Sequence, residues 1–356
     1  MKTRISLILL LMLSMGGNAQ PRLILHTEAV DSMMVWFGRG NPHYSVENLC
    51  TLPAHQLAGE ALLSNIPDAM SLRAALLSFN PRDTIAGAQY VLPLAYKQRD
   101  SIAAFMKAIN SRGFSTEVYN RIGSYFPAGY TSPRSYEVYF TTVGWEWGDA
   151  MCISYTINNG KYSMAESGTP TVLFNVTNVC ITYGNTLRER LTTFSNVLSH
   201  ELFHAQLEDF RKTHWQDIEG DSITYEALLI ILNEGVAHFV ADGEFIGKQY
   251  PSREFIRNNE IMAFAFMASK AAIFFDKNRP HEERLTAIKE GTYGKYWSKY
   301  MCITGLFMAY HIEQLEGREA LQDCVKQGPV SFVRRYMALT EHNASLPKLP
   351  GLFAEI

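Results

Sequence analysis

The sequence predicts an α+β chain, predominantly helical, and three observations carry that reading. Apolar residues recur at helical spacing through the first third. The period drops to two between Tyr136 and Val179, and helical spacing returns from about Thr186 almost to Pro347. Helices, then strands, then helices define the class, with a small antiparallel sheet expected ahead of the second helical block. A chain of 356 residues, 47% hydrophobic and 19% charged, has the length and apolar content to fold around a core.

In the first block, Asp68 to Phe79 reads as a helix through Ala69, Leu72, Leu76 and Phe79. Asp100 reads as the N-cap of another, carrying Ile102, Phe105, Met106 and Ile109, with Gly113 just past its end. In the strand block, Tyr136 to Val143 is rich in aromatic and β-branched residues. Met151, Ile153, Tyr155 and Ile157 alternate with Cys152, Ser154 and Thr156, Asn158-Asn159-Gly160 supplies a turn, and Val172, Phe174 and Val176 alternate again. In the last block, Met262 to Phe275 is apolar nearly all the way round, which predicts a buried helix. No repeat, low-complexity tract or Gly/Ser linker interrupts the chain. The organisation expected is a leader over 1–19, a helical region over 20–130 and a region carrying the chemistry over 131–347.

The leader reads as an export signal. Lys2 and Arg4 give a positive start, Ile5 to Met15 is mainly apolar, and Gly17-Asn18-Ala19 offers small residues for cleavage before Gln20. Such a run covers about 16 Å as a helix, roughly half a bilayer core, so cleavage is favoured over an uncleaved anchor. The expected location is periplasmic, cell-surface or secreted, with no transmembrane segment once the leader is removed. The formal charge is −3, and loss of Lys2 and Arg4 takes it to −5. No basic block marks a nucleic-acid partner. The five cysteines, Cys50, Cys152, Cys180, Cys302 and Cys324, leave at least one thiol unpaired and show no CxxC spacing. They read as core residues with at most two bridges, and oligomeric state stays open.

The chemistry sits in Leu198-Ser199-His200-Glu201-Leu202-Phe203-His204, an HExxH segment. One helical turn apart, His200 and His204 point to the same side, so both imidazoles can reach one ion at about 2.0–2.1 Å. Glu201 lies about 100° round from His200, placed to touch a water beside that ion without ligating it. Leu187, Leu191, Phe194, Leu198 and Leu202 repeat as a helix requires. The plainer reading is two surface histidines beside a solvated glutamate. A second segment, Leu232-Asn233-Glu234-Gly235-Val236-Ala237-His238, tips the balance. Glu234 follows the apolar run Ala227 to Leu232, where a carboxylate is costly to bury unless a cation compensates it. Zinc would do so, with Glu234 as the third protein ligand and a fourth position left open. Gly235 is consistent with close packing between the two helices.

HExxH followed by Asn-Glu-Gly-x-Ala resembles the gluzincin (thermolysin-like) zinc peptidases, especially the aminopeptidase and leukotriene-hydrolase branch. The resemblance implies a zincin-like catalytic domain in which His200, His204 and Glu234 bind zinc and Glu201 activates water. The segment from Gly305 to Gly317 is similar to the helix after that branch's catalytic tyrosine. Where the branch has its tyrosine this chain has Cys302, so Tyr300, then Tyr296, then His311 or His281 are candidates for the oxyanion donor. The branch's Gly-x-Met-Glu-Asn segment, which captures a free peptide amine, is absent. The chain also resembles uncharacterised exported bacterial families of zinc-dependent peptidases. Specific likeness spans His200 to Gly317.

Metal-bound histidines hand their second N–H to a carboxylate or carbonyl. Asp242 and Glu208 are the carboxylates within reach by spacing, and His238 stands either behind a ligand or in the core. Gluzincins bind substrate along a sheet edge, for which Thr171–Val179 or Tyr136–Val143 would serve. The expected function is a zinc-dependent peptidase acting on peptides or proteins, with Glu201 as general base. The alternatives are a degenerate, non-hydrolytic, metal-containing peptide-binding protein and a metal-free helical binding protein.

Overall fold

The computed structural model describes residues 23–38, 45–83, 85, 87–111, 113–144, 148–165, 167–215 and 221–356. The leader expected over 1–19 falls outside the described residues. After strand β1 (Leu23–His26) come helices α1 (Glu28–Phe37), α2 (Val46–Cys50), α3 (Pro53–Asn65), α4 (Leu72–Ser78), α5 (Leu92–Ser111) and α6 (Phe114–Gly123). Strands β2 (Tyr136–Thr141), β3 (Ala150–Asn158), β4 (Lys161–Met164) and β5 (Thr169–Asn175) follow. The remainder is helical: α7 (Val176–Thr182), α8 (Leu187–His214), α9 (Ser222–Gly247), α10 (Arg253–Phe274), α11 (His281–Thr292), α12 (Tyr300–Glu316), α13 (Arg318–Gln327) and α14 (Pro329–His342). The chain is therefore α+β and predominantly helical.

The sheet is mixed, which corrects the antiparallel expectation. Its order is β1-β2-β5-β3-β4. β1 and β2, and β2 and β5, pair in parallel; β3 runs antiparallel to both β5 and β4. Parallel partners must be separated by a long crossover, so their pairing leaves no local turn signal for a sequence to show. Among the described residues the one tight hairpin was legible as a turn: Asn159 and Gly160, both at positive φ, join β3 to β4.

The sheet divides two cores. Val138, Phe140, Val172 and Phe174 face the larger one, packed with Phe194, Leu198 and Leu202 of α8, while Tyr139, Ile153, Tyr155 and Leu173 face the smaller one under α1, α3 and α4. Burial on both faces makes β5 a near-continuous buried run. It also disposes of both proposed substrate edges, since β2 lies between β1 and β5, and β5 between β2 and β3. Among the described residues the free edge near α8 belongs to the first half of β3, because β4 pairs only with Tyr155–Asn158.

Other expectations shift. Asp100 lies inside α5, which begins at Leu92, two turns earlier than its polar residues suggested; the left-handed Val91 just ahead of Leu92, and Pro93 at the second helical position, mark the true start. α4 starts at Leu72 under an N-cap by Ser71. α10 is not buried all round: Met262 and Phe266 are about half exposed while Ala263, Phe264, Met267 and Ala271 face the core. None of the five thiols is bridged. α9 is long and apolar enough to cross a membrane by composition, and most of that apolar stretch is buried in the molecule.

Candidate metal centre

Helix α8 carries the HExxH residues and is fixed at both ends. Thr186 and Glu189 form a complete capping box at its start. About two turns beyond Glu201, buried Asp209 accepts from the Arg134 guanidinium at 2.7 Å and the Tyr136 hydroxyl at 2.8 Å, tying α8 to β2 and its approach. α9 starts under Asp221, which caps Thr224 N–H and also receives buried Arg284 from α11.

The two helices bring His200, His204 and Glu234 together. The Nε2 atoms of His200 and His204 are 3.0 Å apart. Glu234 oxygens lie 3.8 Å from His200 Nε2 and 3.5 Å from His204 Nε2. Outer contacts fix the tautomers. His204 Nδ1 meets the Asn233 side-chain oxygen at 2.8 Å, so it must donate there and leave Nε2 with a lone pair. The Ala237 backbone carbonyl also acts on the His200 ring, favouring its N–H form. Two imidazole nitrogens and a carboxylate thus face one another within 3.0–3.8 Å, a donor set suited to a cation. Burial, then the neighbouring His238, His204 and Lys299, hold His200 well below the usual imidazole range, which keeps it neutral.

Glu201 is partly buried beside this cluster. Desolvation first, and then the Glu234 and Asp149 carboxylates, raise its pKa to about 7, although His204 and a hydrogen bond from the Cys152 backbone N–H oppose the rise. That bond links the glutamate to the free edge of β3.

The structure does not bring Tyr300 to the centre. Its ring is buried and its hydroxyl donates to the Ala287 carbonyl at 2.6 Å, because the first turn of α12 packs on α11. The oxyanion role assigned to it is corrected on that ground. Tyr296 comes closer, its ring edge-on to His238 with centroids 5.1 Å apart, but its hydroxyl donates to Asp242 at 2.7 Å. His311 is paired with buried Glu260 at 2.5 Å, and His281 is exposed at the start of α11. Cys302 sits where the tyrosine was sought, its thiol 3.8 Å from Glu234 Oε2.

Of the outer carboxylates, Glu208 is taken by Arg211 and Lys212. Asp242 stands 3.9 Å from His238 Nδ1. Gly235 packs closely, but against α12: a Cβ there would meet the Gly305 backbone at 2.4 Å. The motif helix is not its partner. Sequence reasoning overlooked Asn233 and Cys152 as partners of the site. Asn233 had a usable signal, an amide oxygen immediately before the carboxylate; the Cys152 contact is made by backbone and had none.

No curated protein and no solved structure matches the chain. A family model does match residues 46–345, and by that match the chain belongs to the family described as "Putative zinc dependent peptidase (DUF5700)".

Proposed function

We propose that the protein is a zinc-dependent peptidase of the gluzincin type, with His200, His204 and Glu234 as metal ligands and Glu201 as general base. One observation carries the reading: two imidazoles, that of His204 with its Nδ1–H committed outward to Asn233, converge with a carboxylate from a second helix. Neutral nitrogen and carboxylate oxygen suit zinc, and the donor count leaves room for a further ligand. A zinc ion bound there would polarise the scissile carbonyl and make a water more acidic.

The protein's own residues do the rest. Glu201, poised near neutrality, takes a proton as water oxygen bonds to the carbonyl carbon, then returns it to the amine nitrogen as the C–N bond breaks. Asn233 and the Ala237 carbonyl hold the imidazoles in register. An extended peptide would add along Ala150–Ile153, where β3 has no strand partner on its outer side among the described residues. The Cys152 N–H that acts on Glu201 belongs to that edge, which supports putting the base beside the substrate. Export by the N-terminal leader, with extracytoplasmic peptides as substrates, completes the proposal.

Glu201→Gln tests it. Hydrolysis of a mixed peptide library should fall by at least about a thousandfold while zinc content, measured by elemental analysis, stays at the wild-type level. Undiminished turnover in that variant would remove the base from the mechanism.

A further inference from the structure

The ligand set proposed above uses two of the three imidazoles that face Glu234. We infer that His238 is a third histidine ligand to the same cation, so that the centre is built from three histidines and one glutamate. The inference rests on the zinc reading of this site and extends it.

Separation is the first argument. Two ligands about 2.0–2.1 Å from a tetrahedral ion stand roughly 3.4 Å apart. His238 Nε2 is 3.9 Å from Glu234 Oε2, against 3.8 Å for His200 Nε2. The criterion that admits His200 admits His238. One donor atom from each of His200, Glu234 and His238 falls within 4.8 Å of the other two.

The second argument is satisfaction. His238 is buried, and its Nε2 has no hydrogen-bond partner. An orphaned buried polar atom costs free energy, and the core histidine His55 bears the same cost at its own Nε2, so the neighbours of the orphan decide its meaning. Here the orphan lies beside the carboxylate already expected to bind metal. A cation supplies the missing partner.

Support from behind is the third. His238 lies one turn after Glu234 on α9, the spacing that places His200 and His204 on one face of α8. Its Nδ1 looks toward Asp242 Oδ2 at 3.9 Å, and that carboxylate is itself held by the Tyr296 hydroxyl at 2.7 Å. The Tyr296 ring closes edge-on against the imidazole. A carboxylate outside and a metal inside is how ligating histidines are commonly oriented. Zinc can expand to five ligands, so a fourth protein donor still leaves a place for water or substrate.

X-ray absorption at the zinc edge, on the zinc-loaded full chain, counts imidazoles directly. Three are expected in the wild-type protein and two in His238→Gln, with zinc affinity by chelator competition at least about tenfold weaker in the variant. Circular dichroism shows whether the variant folds; if it does not, the wild-type count alone decides. Two imidazoles plus a carboxylate in the wild-type protein would sink the His238 assignment and leave the peptidase reading standing. A wild-type chain that takes up no zinc, or holds it without imidazole, overturns both.

Discussion

Asn233 shows how much of this centre depends on a residue that would never touch metal. Its side-chain oxygen, 2.8 Å from His204 Nδ1, decides which nitrogen carries the proton and therefore which one offers a lone pair inward. Asn233→Ala should weaken zinc binding by about tenfold to a hundredfold, and Asn233→Asp, which keeps an acceptor oxygen, should recover most of the loss. Chelator competition on the three proteins checks this, and equal affinities would show that the tautomer is fixed some other way. The histidine pair itself was legible because helix geometry alone sets where residues four apart must point. Tyr300 was not. Sequence separation from Gly305 gives its distance along the helix but not the target of its hydroxyl, and that target is a carbonyl on α11. His238 lay between the two cases: its spacing from Glu234 was visible, while its unpartnered nitrogen is visible only in three dimensions.

At the scale of elements, α9 and α12 cross at a contact made of two glycines. A Cβ on Gly235 would lie 2.4 Å from the Gly305 backbone, and one on Gly305 would lie 2.1 Å from the Ile231 carbonyl oxygen. Neither obstruction is a movable side-chain end, so the helices must part to admit even a methyl group. Gly305→Ala should destabilise the fold by roughly 3 kcal/mol, at the upper end of overpacking costs. It should also lower zinc affinity, since Cys302 and Glu234 meet across the same crossing. Urea unfolding and zinc titration read the two effects; a variant as stable as the parent would show that the crossing is looser than its geometry. The glycine in the Asn-Glu-Gly segment signalled a close approach correctly, yet the partner could not be read, because the packing of α9 on α12 is not encoded in either helix alone. β1 was missed for a related reason: Leu23–His26 is too short for alternation to show, and its parallel partner β2 lies more than a hundred residues along the chain.

For the whole molecule, acid should act in two stages at sites far from the centre. His55 is fully buried, with Nδ1 bonded to the Leu49 carbonyl at 2.8 Å and Nε2 unpartnered, and burial lowers its pKa to about 4 from 6.5. The unfolded chain therefore binds a proton at a pH where the folded chain refuses it. The stabilisation is complete above about pH 6.5 and disappears as pH falls through about 4, amounting to something on the order of 3 kcal/mol. Asp221 follows lower down. The buried Arg284 guanidinium, with Thr224 assisting, holds its carboxyl at about 2 against 3.8. Its contribution is present above about pH 4 and is lost toward pH 2. Glu201 works in the opposite sense in the metal-free chain, since a carboxyl raised to about 7 favours the folded state only while it is protonated. Plain stability curves would mix these signs. The difference between wild-type and His55→Gln unfolding free energies, measured with chelator present from pH 7.5 to 4, cancels the Glu201 and Asp221 terms. That difference should shrink steadily as pH falls, by an amount set by the single imidazole. A difference independent of pH would mean that His55 takes up its proton in the folded chain as readily as in the unfolded one, and that water reaches the ring in the folded state.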